Sequence, residues 1–216
     1  MSVFITFEGI EGCGKTTQLR RLADHLQRQG RAVLTTREPG GCPIADEIRR
    51  ILLSPANGEL VPRAELLLYA AARAQHVAEV IQPALARGMW VLCDRFTDAT
   101  IVYQGYGRGL DTHLIGELND VAAGATLPQL TLLLDLPVEE GLNRARRRNA
   151  QTAGTDEGRF EDESLAFHRR VRDGYRQLAA REPARFLIID ASGDEDAVTK
   201  RVTDAVAARL GAGSRT

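Results

Sequence analysis

Residues Val3 to Thr16 read V-F-I-T-F-E-G-I-E-G-C-G-K-T, an apolar run of strand length that leads directly into a glycine-rich loop. A helix-forming stretch follows the loop at once. Glycines let successive backbone N–H groups point at one centre, and a helix N-terminus adds a dipole that favours negative charge. Gly9 to Thr16 therefore predict a phosphate-binding loop, in which Lys15 would reach the terminal phosphates of a nucleotide and the Thr16 hydroxyl would ligate Mg²⁺. An ordinary glycine turn, the alternative, would leave Lys15 and Thr16 unexplained.

The composition is that of a chain that can form one domain without a stabilising disulfide. Its 216 residues are enough to bury roughly 70% of the unfolded surface. A formal net charge of −1 argues against a dedicated surface for nucleic acid or for an anionic membrane. The three cysteines form no C-x-x-C pair, and their odd number suits reduced thiols. Because neither a signal peptide nor a membrane-spanning run is evident, we expect a cytoplasmic protein.

Five apolar runs of strand length alternate with longer helical patterns along the chain. The runs are Val3–Phe7, Ala32–Thr36, Trp90–Cys93, Leu130–Leu136 and Phe186–Ile189. Near-continuous apolar residues, as in Leu130 to Leu134, are typical of strands that are buried on both faces, and so of a mainly parallel sheet covered by helices. We therefore predict an α/β fold, a three-layer α/β/α sandwich with a five-stranded sheet and ligand sites at the carboxyl ends of the strands.

Two segments interrupt this alternation. Residues 144–162 contain five arginines around a polar stretch from Asn149 to Gly158, a pattern that predicts a short mobile lid with cationic margins. The C-terminal residues 211–216 are expected to form a flexible tail. Neither segment marks a domain boundary, so we expect one domain over residues 1–210.

Charged residues follow the second and third predicted strands. Asp94 and Arg95 come directly after the third strand, and Arg37 precedes the turn Pro39-Gly40-Gly41. An acidic residue at this position can hold Mg²⁺ through water, and a surface ion pair is the alternative. A guanidinium can bind a phosphate through two parallel hydrogen bonds, whereas a solvated loop arginine has no such role. Arg37 and Arg95 together predict a second phosphate site that faces the first.

A long helix is predicted from about Pro62 to Arg87. Tyr69 and Arg73 are four residues apart in it and so share one face. An aromatic ring beside a planar guanidinium suits a flat heterocyclic ligand. The Tyr69 ring would stack on the heterocycle, and Arg73 would donate to a carbonyl at the edge of the heterocycle. Simple packing of an aromatic residue near a solvated charge is the alternative. The glycine-rich stretch Tyr103 to Gly109 could line a sugar site or form a flexible connection.

The remaining histidines and cysteines give weaker signals. The four histidines fit no metal-ligand spacing, and we expect each at the surface or as a partly buried residue with its hydrogen bonds satisfied. Cys13 is a thiol at a helix N-terminus near a lysine, where its pKa could be lowered. The alternative is a small residue that merely fits the loop.

With these features assembled, the chain resembles the thymidylate kinase family, whose members phosphorylate dTMP to dTDP with ATP. The resemblance covers essentially the whole chain. The motifs that carry it are Phe7-Glu8-Gly9, Gly12 to Thr17, Thr36 to Gly41, Tyr69 with Arg73, Asp94-Arg95-Phe96, Tyr103-Gln104-Gly105 and the arginine-rich lid. The Arg-Glu-Pro-Gly-Gly turn and the Asp-Arg pair are more specific to the family than the loop alone. The resemblance implies the fold of P-loop nucleoside triphosphatases, Mg²⁺ as cofactor with ATP as co-substrate, and a cytoplasmic homodimer.

The resemblance also implies a role for each matched position. The positions that would bind ATP are Gly9, Ile10, Glu11, Gly12, Cys13, Gly14, Lys15, Thr16 and Thr17. The positions that would bind dTMP are Glu11, Arg37, Tyr69, Arg73, Arg95, Thr100, Tyr103 and Gln104. Those on the metal side are Thr16, Asp94 and Glu11. The catalytic positions are Lys15, Arg95 and a lid arginine, for which Arg148 and Arg159 are the first candidates and Arg144 and Arg146 the next.

Several of these implied roles are specific to one part of the acceptor. Arg37 and Arg95 would hold the phosphate of dTMP. Tyr69 would stack on thymine and Arg73 would donate to its O4 atom. Tyr103 would crowd the 2′ position and so favour deoxyribose. Thr100 stands where some members have an asparagine that points toward the base.

Two residues of the loop need separate comment, Glu11 for its contacts and Cys13 for its difference from relatives. Glu11 would contact the 3′-hydroxyl of the acceptor or the metal-bound phosphate. Cys13 stands where bacterial members often have alanine. The loop lacks the arginine found in some eukaryotic relatives, so the family pattern assigns the catalytic arginine to the lid.

The implied reaction needs no general base. The acceptor phosphate is already largely ionised near neutral pH, since its second pKa is about 6, and catalysis depends on positioning and on neutralising charge. Two other functions stay open at this point. One is a kinase for another nucleoside monophosphate, and the other is a nucleotide-dependent switch protein, although the guanine-reading N-K-x-D motif is missing.

Overall fold

A computed structural model of the protein describes residues 2–151, 159–160 and 163–211, without the side chains of residues 148–151. Five strands form one sheet: β1 Val3–Glu8, β2 Val33–Arg37, β3 Trp90–Asp94, β4 Leu130–Asp135 and β5 Phe186–Asp190. All pairs of neighbouring strands are parallel, in the order β2-β3-β1-β4-β5. The predicted α/β fold with a parallel five-stranded sheet is confirmed.

Helices cover both faces of this sheet. The bounds are α1 Lys15–Arg28, α2 Pro43–Leu53, α3 Pro62–His76, α4 Gln82–Ala86, α5 Thr97–Thr100, α6 Thr112–Ala123, α7 Val138–Gln151, α8 Leu165–Arg181 and α9 Glu195–Gly211. A π-helical turn, Val77–Ile81, joins α3 to α4, and a second π-helical segment, Ile101–Gly107, continues α5. The predicted helix from Pro62 to Arg87 is therefore one helical stretch with a π-helical turn inside it.

The centre of the sheet is apolar on both faces, which explains why its strands read as nearly continuous apolar runs. In β1 the side chains of Phe4, Ile5 and Phe7 are fully buried. β1 lies between β3 and β4, so the chain leaves it at the point where the strand order reverses. A crevice forms outside the carboxyl ends of strands at such a point, and that is where ligands bind in open α/β sheets.

Every strand ends on a charged residue. These residues are Glu8, Arg37, Asp94, Asp135 and Asp190. Four of the strands end one residue beyond the apolar run, because the backbone ladder continues after the buried side chains stop. The carboxyl edge of the sheet is consequently lined with charge.

The cysteines, the helices and the C-terminal tail were also subjects of expectations from the sequence. Cys13, Cys42 and Cys93 are all free and buried, as expected for reduced thiols. Among the described residues, none of the helices combines the length and the apolar character that crossing a membrane requires. α9 ends at Gly211, and the rest of the predicted tail, residues 212–216, lies outside the described part of the chain.

Candidate active site

A cavity of about 860 Å³ opens at the carboxyl edge of the sheet. Most of the site residues predicted from the sequence line it. They are Glu11, Gly12, Gly14, Lys15, Thr16, Thr17, Arg37, Tyr69, Arg73, Asp94, Arg95, Thr100, Tyr103 and Gln104. The structure thus places the predicted phosphate loop around the same cavity as Arg37 and Arg95 at the strand ends and Tyr69 and Arg73 on α3.

The phosphate loop joins β1 to α1 without a side-chain cap. The N-cap residue of α1 is Gly14, whose φ of 92° puts it in the left-handed region that favours glycine. The first backbone N–H groups of α1 therefore have no capping side chain, as anion binding at a helix N-terminus requires. Lys15 Nζ lies 3.1 Å from Gly9 O and 2.9 Å from Ile10 O, so its ammonium donates to the loop itself.

Three loop residues do not line the cavity. Gly9, Ile10 and Cys13 are buried behind it. Burial raises the pKa of the Cys13 thiol, although the nearby Lys15 ammonium acts in the opposite direction. The lowered pKa considered from the sequence is therefore absent, and Cys13 is a small residue that fits the loop.

Thr16 and Asp94 form the part of the site that suits a metal ion. Thr16 Oγ1 donates to Asp94 Oδ2 at 2.6 Å, across 78 residues of sequence. Among the described residues there is no cluster of three or more histidines, cysteines or acidic residues that could hold a metal. A hydroxyl beside one carboxylate fits Mg²⁺, which keeps several waters and takes its other ligands from nucleotide phosphates.

Glu11 lines the cavity beside Arg95 and Tyr103. Its Oε1 atom accepts hydrogen bonds from Arg95 Nη2 at 2.9 Å and from the Tyr103 hydroxyl at 2.5 Å. Burial by itself would raise the pKa of Glu11, but His168, Arg95 and Lys15 together hold it well below its usual range. Glu11 is therefore a buried carboxylate whose negative charge is stabilised by its neighbours.

Arg95 adopts an unusual backbone conformation. Its φ of 70° is the one positive value among the described residues that are not glycine. Such strain persists only where surrounding contacts hold the residue, and it is frequent at functional sites. The guanidinium lies over the Tyr103 ring, 4.6 Å from its centroid, and Nη1 donates to the Tyr175 hydroxyl at 3.2 Å.

Arg73 is buried rather than solvated. Its side chain is 1% exposed, so the alternative of a solvated charge on α3 is wrong. The Nε atom donates to Glu38 Oε2 at 2.8 Å, and Nη1 donates to Asn119 Oδ1 at 2.7 Å. The Nη2 atom donates to Phe96 O at 3.0 Å and to Thr100 Oγ1 at 2.9 Å. Among the described residues, these bonds use four of the five guanidinium N–H groups and leave one N–H of Nη1.

Arg37 and Tyr69 are less constrained than Arg73. The Arg37 side chain is 54% exposed and lies 3.6 Å from Asp46 Oδ1. Asp46 also accepts a hydrogen bond from the backbone N–H of Gly41 at 3.2 Å, so it anchors the turn after β2. Tyr69 lines the cavity one helical turn before Arg73, and burial raises its pKa.

The predicted lid falls largely outside the described residues. α7 continues to Gln151, and residues 152–158 and 161–162 are not described, nor is the side chain of Arg148. Arg144 is described and donates to Glu140 Oε1 at 2.5 Å within α7. The mobile lid over residues 144–162 stays a prediction.

Arg159, the other lid candidate, is held away from the phosphate loop in this structure. Its Nη2 atom donates to Glu65 Oε2 at 2.5 Å, and Nη1 donates to Leu52 O at 2.9 Å. Arg159 is not among the residues that line the cavity, but its neighbour Phe160 is. A catalytic role for Arg159 would require that it leave Glu65.

Several residues that shape the site were missed by sequence reasoning. They are Arg49, Glu65, His76, Asn119, His168 and Tyr175, while Glu8 and Glu38 lie in quoted motifs but were given no role of their own. Most of them contact the lining residues from outside the cavity and are distant from them in sequence. No local sequence pattern therefore predicts these contacts. His76 is fully buried with partners on both ring nitrogens, whereas neither ring nitrogen of His168, which is also fully buried, has a hydrogen bond within the described part of the chain. The expectation for the histidines is therefore wrong for His168.

The fold and the site define a class of protein before any comparison is made. A parallel sheet with a phosphate loop after β1, an acidic residue at the end of β3 and arginines across the cavity are typical of nucleotide-binding phosphotransferases with a P-loop. Residues 7–202 match the family model for thymidylate kinase. The chain belongs to the thymidylate kinase family.

Individual relatives agree with this assignment over the full chain. A thymidylate kinase from Syntrophotalea carbinolica is 65% identical over 202 residues, which cover 94% of this chain and 94% of the relative. One from Trichlorobacter lovleyi is 62% identical, with 96% and 98% covered. The crystal structure of thymidylate kinase from Ehrlichia chaffeensis superposes with a TM-score of 0.75 at 35% identity, over 95% of this chain and 98% of that one.

Proposed function

We propose that the protein transfers the γ-phosphoryl group of ATP to dTMP, giving dTDP and ADP for the synthesis of dTTP. The observation that carries this proposal is the single cavity in which the phosphate loop faces Arg37, Tyr69, Arg73 and Arg95. Membership of the thymidylate kinase family supports the same substrates.

The donor half of the site would be the loop Gly9 to Thr17. Lys15, which binds loop carbonyls in this structure, is within the cavity and would turn to the terminal phosphates when ATP enters. The Thr16 hydroxyl, and Asp94 through water, would hold Mg²⁺. Mg²⁺, when bound, neutralises charge on the phosphates. Glu11 is the third metal-side candidate, and its contacts with Arg95 and Tyr103 favour the acceptor side instead.

The acceptor half would bind dTMP by its phosphate and by its base. Arg37 and Arg95 would hold the phosphate, because both guanidinium groups line the cavity at strand ends. Tyr69 would stack on thymine, and the remaining Nη1 hydrogen of Arg73 would donate to O4. Tyr103 would exclude a 2′-hydroxyl, while Thr100 and Gln104 would complete the base and sugar contacts.

Catalysis would depend on positioning and charge, without a general base. Lys15 and Arg95 would neutralise charge that develops on the transferred group, and a lid arginine, Arg148 or Arg159, would complete the arrangement. Closure of the lid would exclude water that could otherwise hydrolyse ATP.

We also propose that the protein is a cytoplasmic homodimer built on α3 and α6, which pack against each other. Five large apolar side chains on these helices or just beyond their ends are exposed in the described part of the chain. They are Val61, Leu67, Leu114, Val121 and Leu127. An apolar surface of this kind marks an association site in many soluble proteins.

A coupled assay of ADP formation with ATP, Mg²⁺ and a panel of monophosphates tests the proposal. We expect dTMP to be preferred, with dUMP poorer for want of the methyl contact. We expect kcat/KM for dCMP to be lower by about tenfold to a hundredfold, since opposed donors at a buried site cost about 1–3 kcal/mol. The Lys15→Ala variant is the control for contaminating kinases. Comparable turnover of dCMP and dTMP would overturn the base assignment, and activity on another monophosphate alone would overturn the function.

A further inference from the structure

His168 and Glu11 bury facing polar atoms that have no other partner. The side chain of His168, on α8, is fully buried. Its Nδ1 atom lies 3.3 Å from Glu11 Oε2, close enough for an ion pair but outside hydrogen-bond geometry. Glu11 Oε2 and both ring nitrogens of His168 have no hydrogen bond among the described residues.

Burying these polar atoms without hydrogen bonds costs folding free energy, which indicates that they have a role. A buried polar group without a hydrogen bond loses about 1–3 kcal/mol relative to water. The other oxygen of Glu11 already accepts from Arg95 and Tyr103. His168 Nδ1 lies 3.3 Å from Oε2, so a small rotation of either side chain gives these two atoms a hydrogen bond, while Nε2 of His168 is unaffected.

The position of His168 on α8 supports a role at the site rather than in the core alone. His168 lies seven residues before Tyr175, so the two side chains project from the same face of the helix. Tyr175 donates to Glu8 Oε2 at 2.7 Å. One face of α8 therefore supplies a polar group to each of the two carboxylates that flank the start of the phosphate loop.

We propose that His168 is a positioning residue, whose Nδ1–H donates to Glu11 Oε2 and fixes the carboxylate that orients Arg95 and Tyr103. Glu11 then has one oxygen for the acceptor-side residues and one for His168. The inference rests on the proposed assignment of Arg95 and Tyr103 to dTMP. Because Glu11 binds Arg95 and Tyr103 directly, we expect the effect of His168 to be specific to the acceptor.

Two matched variants separate this role from simple packing. In His168→Asn the amide Nδ2 takes the position of Nδ1, whereas in His168→Gln the amide nitrogen takes the position of Nε2. We expect His168→Gln to raise KM and Kd for dTMP about tenfold, equivalent to about 1.4 kcal/mol, with KM for ATP unchanged. We expect His168→Asn to stay within about twofold of the wild type. Equal effects of the two variants, or equal effects on ATP and dTMP, would overturn the proposal.

A double-mutant cycle tests whether the effect runs through Glu11. In a Glu11→Ala background, which removes the hydrogen-bond acceptor altogether, the difference between His168→Asn and His168→Gln should disappear, and a difference that persists would contradict the proposal. Thermal unfolding with and without dTMP establishes that each variant is folded.

NMR of the wild type provides a measurement that needs no substitution at position 168. We expect the Nδ1 nitrogen of His168 to carry a proton, and an unprotonated Nδ1 would overturn the inference even if the variants failed to fold. Should the wild type act on another monophosphate and not on dTMP, the proposed function fails. The same two variants, compared on that acceptor, then decide the role of His168 separately.

Discussion

At the scale of single residues, Glu8 links β1 to the acceptor side of the site. Its carboxylate is fully buried, with Oε1 accepting from the backbone N–H of Phe96 at 2.8 Å. Oε2 accepts from the Tyr175 hydroxyl, which in turn accepts from Arg95. Burial, reinforced by the charge of Asp98, raises the pKa of Glu8 from 4.5 to about 8.

This raised pKa predicts a pH-dependent stability. Between a pKa of 4.5 in the unfolded chain and about 8 in the folded protein, the folded state binds more protons. The free energy of unfolding therefore falls as pH rises through that window, by up to about 1.4 kcal/mol per pH unit from this group. Glu8→Gln removes the contribution, so its stability relative to the wild type should rise between pH 5 and pH 8 in urea unfolding.

The control for the loss of a carboxylate is Glu59→Gln, since Glu59 is exposed on the surface. A stability difference between Glu8→Gln and the wild type that stays constant from pH 5 to pH 8 would contradict the assignment.

At the scale of elements, the phosphate loop depends on its close packing against α7. Gly12 has a φ of 71°, and a Cβ atom at this position would overlap the carbonyl of Gly141 in the first turn of α7. Gly141 in turn leaves no room for a Cβ atom, which would lie 2.5 Å from Glu11 O. Two glycines thus let the loop and the helix approach at backbone distance.

Gly12→Ala should cost more than backbone strain alone. Gly88 makes a matched control, because its φ is 76° and a Cβ atom there would meet nothing within 4 Å. We expect Gly88→Ala to lower the free energy of unfolding by about 1–2 kcal/mol, because alanine is strained in the left-handed conformation. Gly12→Ala should lower it by about 1–3 kcal/mol more, because the added methyl group overpacks the contact with α7. Urea unfolding measures both, and ATP titration should show weakened binding in Gly12→Ala alone. Equal losses in the two variants would contradict the packing argument.

The elements could be predicted from the sequence to different degrees. Apolar runs located all five strands to within about one residue, because strands buried on both faces have an unambiguous pattern. The sequence of the glycine-rich stretch Tyr103 to Gly109 allows a sugar site or a flexible connection. Its first five residues belong to the largely buried π-helical segment Ile101–Gly107, which contributes Tyr103 to the cavity, so a flexible connection is wrong. Its glycines favoured a loop locally, and burial against α6 and α8 decided otherwise.

At the scale of the whole molecule, the sequence predicted the residues that line the cavity better than those that support them. Lining residues such as Lys15 and Arg95 lie in short motifs at strand ends, where chemistry can be inferred from local spacing. Their supports are set by tertiary packing: Tyr175 contacts Glu8 across 167 residues, and Asn119 contacts Arg73 across 46. No local pattern encodes such pairs, since Tyr175 and Asn119 each have the sequence context of an ordinary helical residue.

The exposed apolar side chains of α3 and α6 give the last prediction, which concerns assembly. Val121 is 83% exposed on α6, so a second subunit that packed on α6 would cover its side chain. Val121→Asp would bury an unpaired carboxylate at such an interface, at a cost of several kcal/mol. We therefore expect its dimer dissociation constant to rise at least about a hundredfold. Size-exclusion chromatography with light scattering measures the shift.

Ile188→Asp is the matched control, because Ile188 is an apolar residue of comparable size that is 54% exposed on β5, outside α3 and α6. The control should keep the mass of the wild type, which we expect to be that of a dimer. A monomeric wild type, or a dimer that tolerates Val121→Asp at micromolar concentration, would contradict an interface on α6. Since α3 also carries Tyr69 and Arg73, loss of this interface should raise KM for dTMP more than KM for ATP.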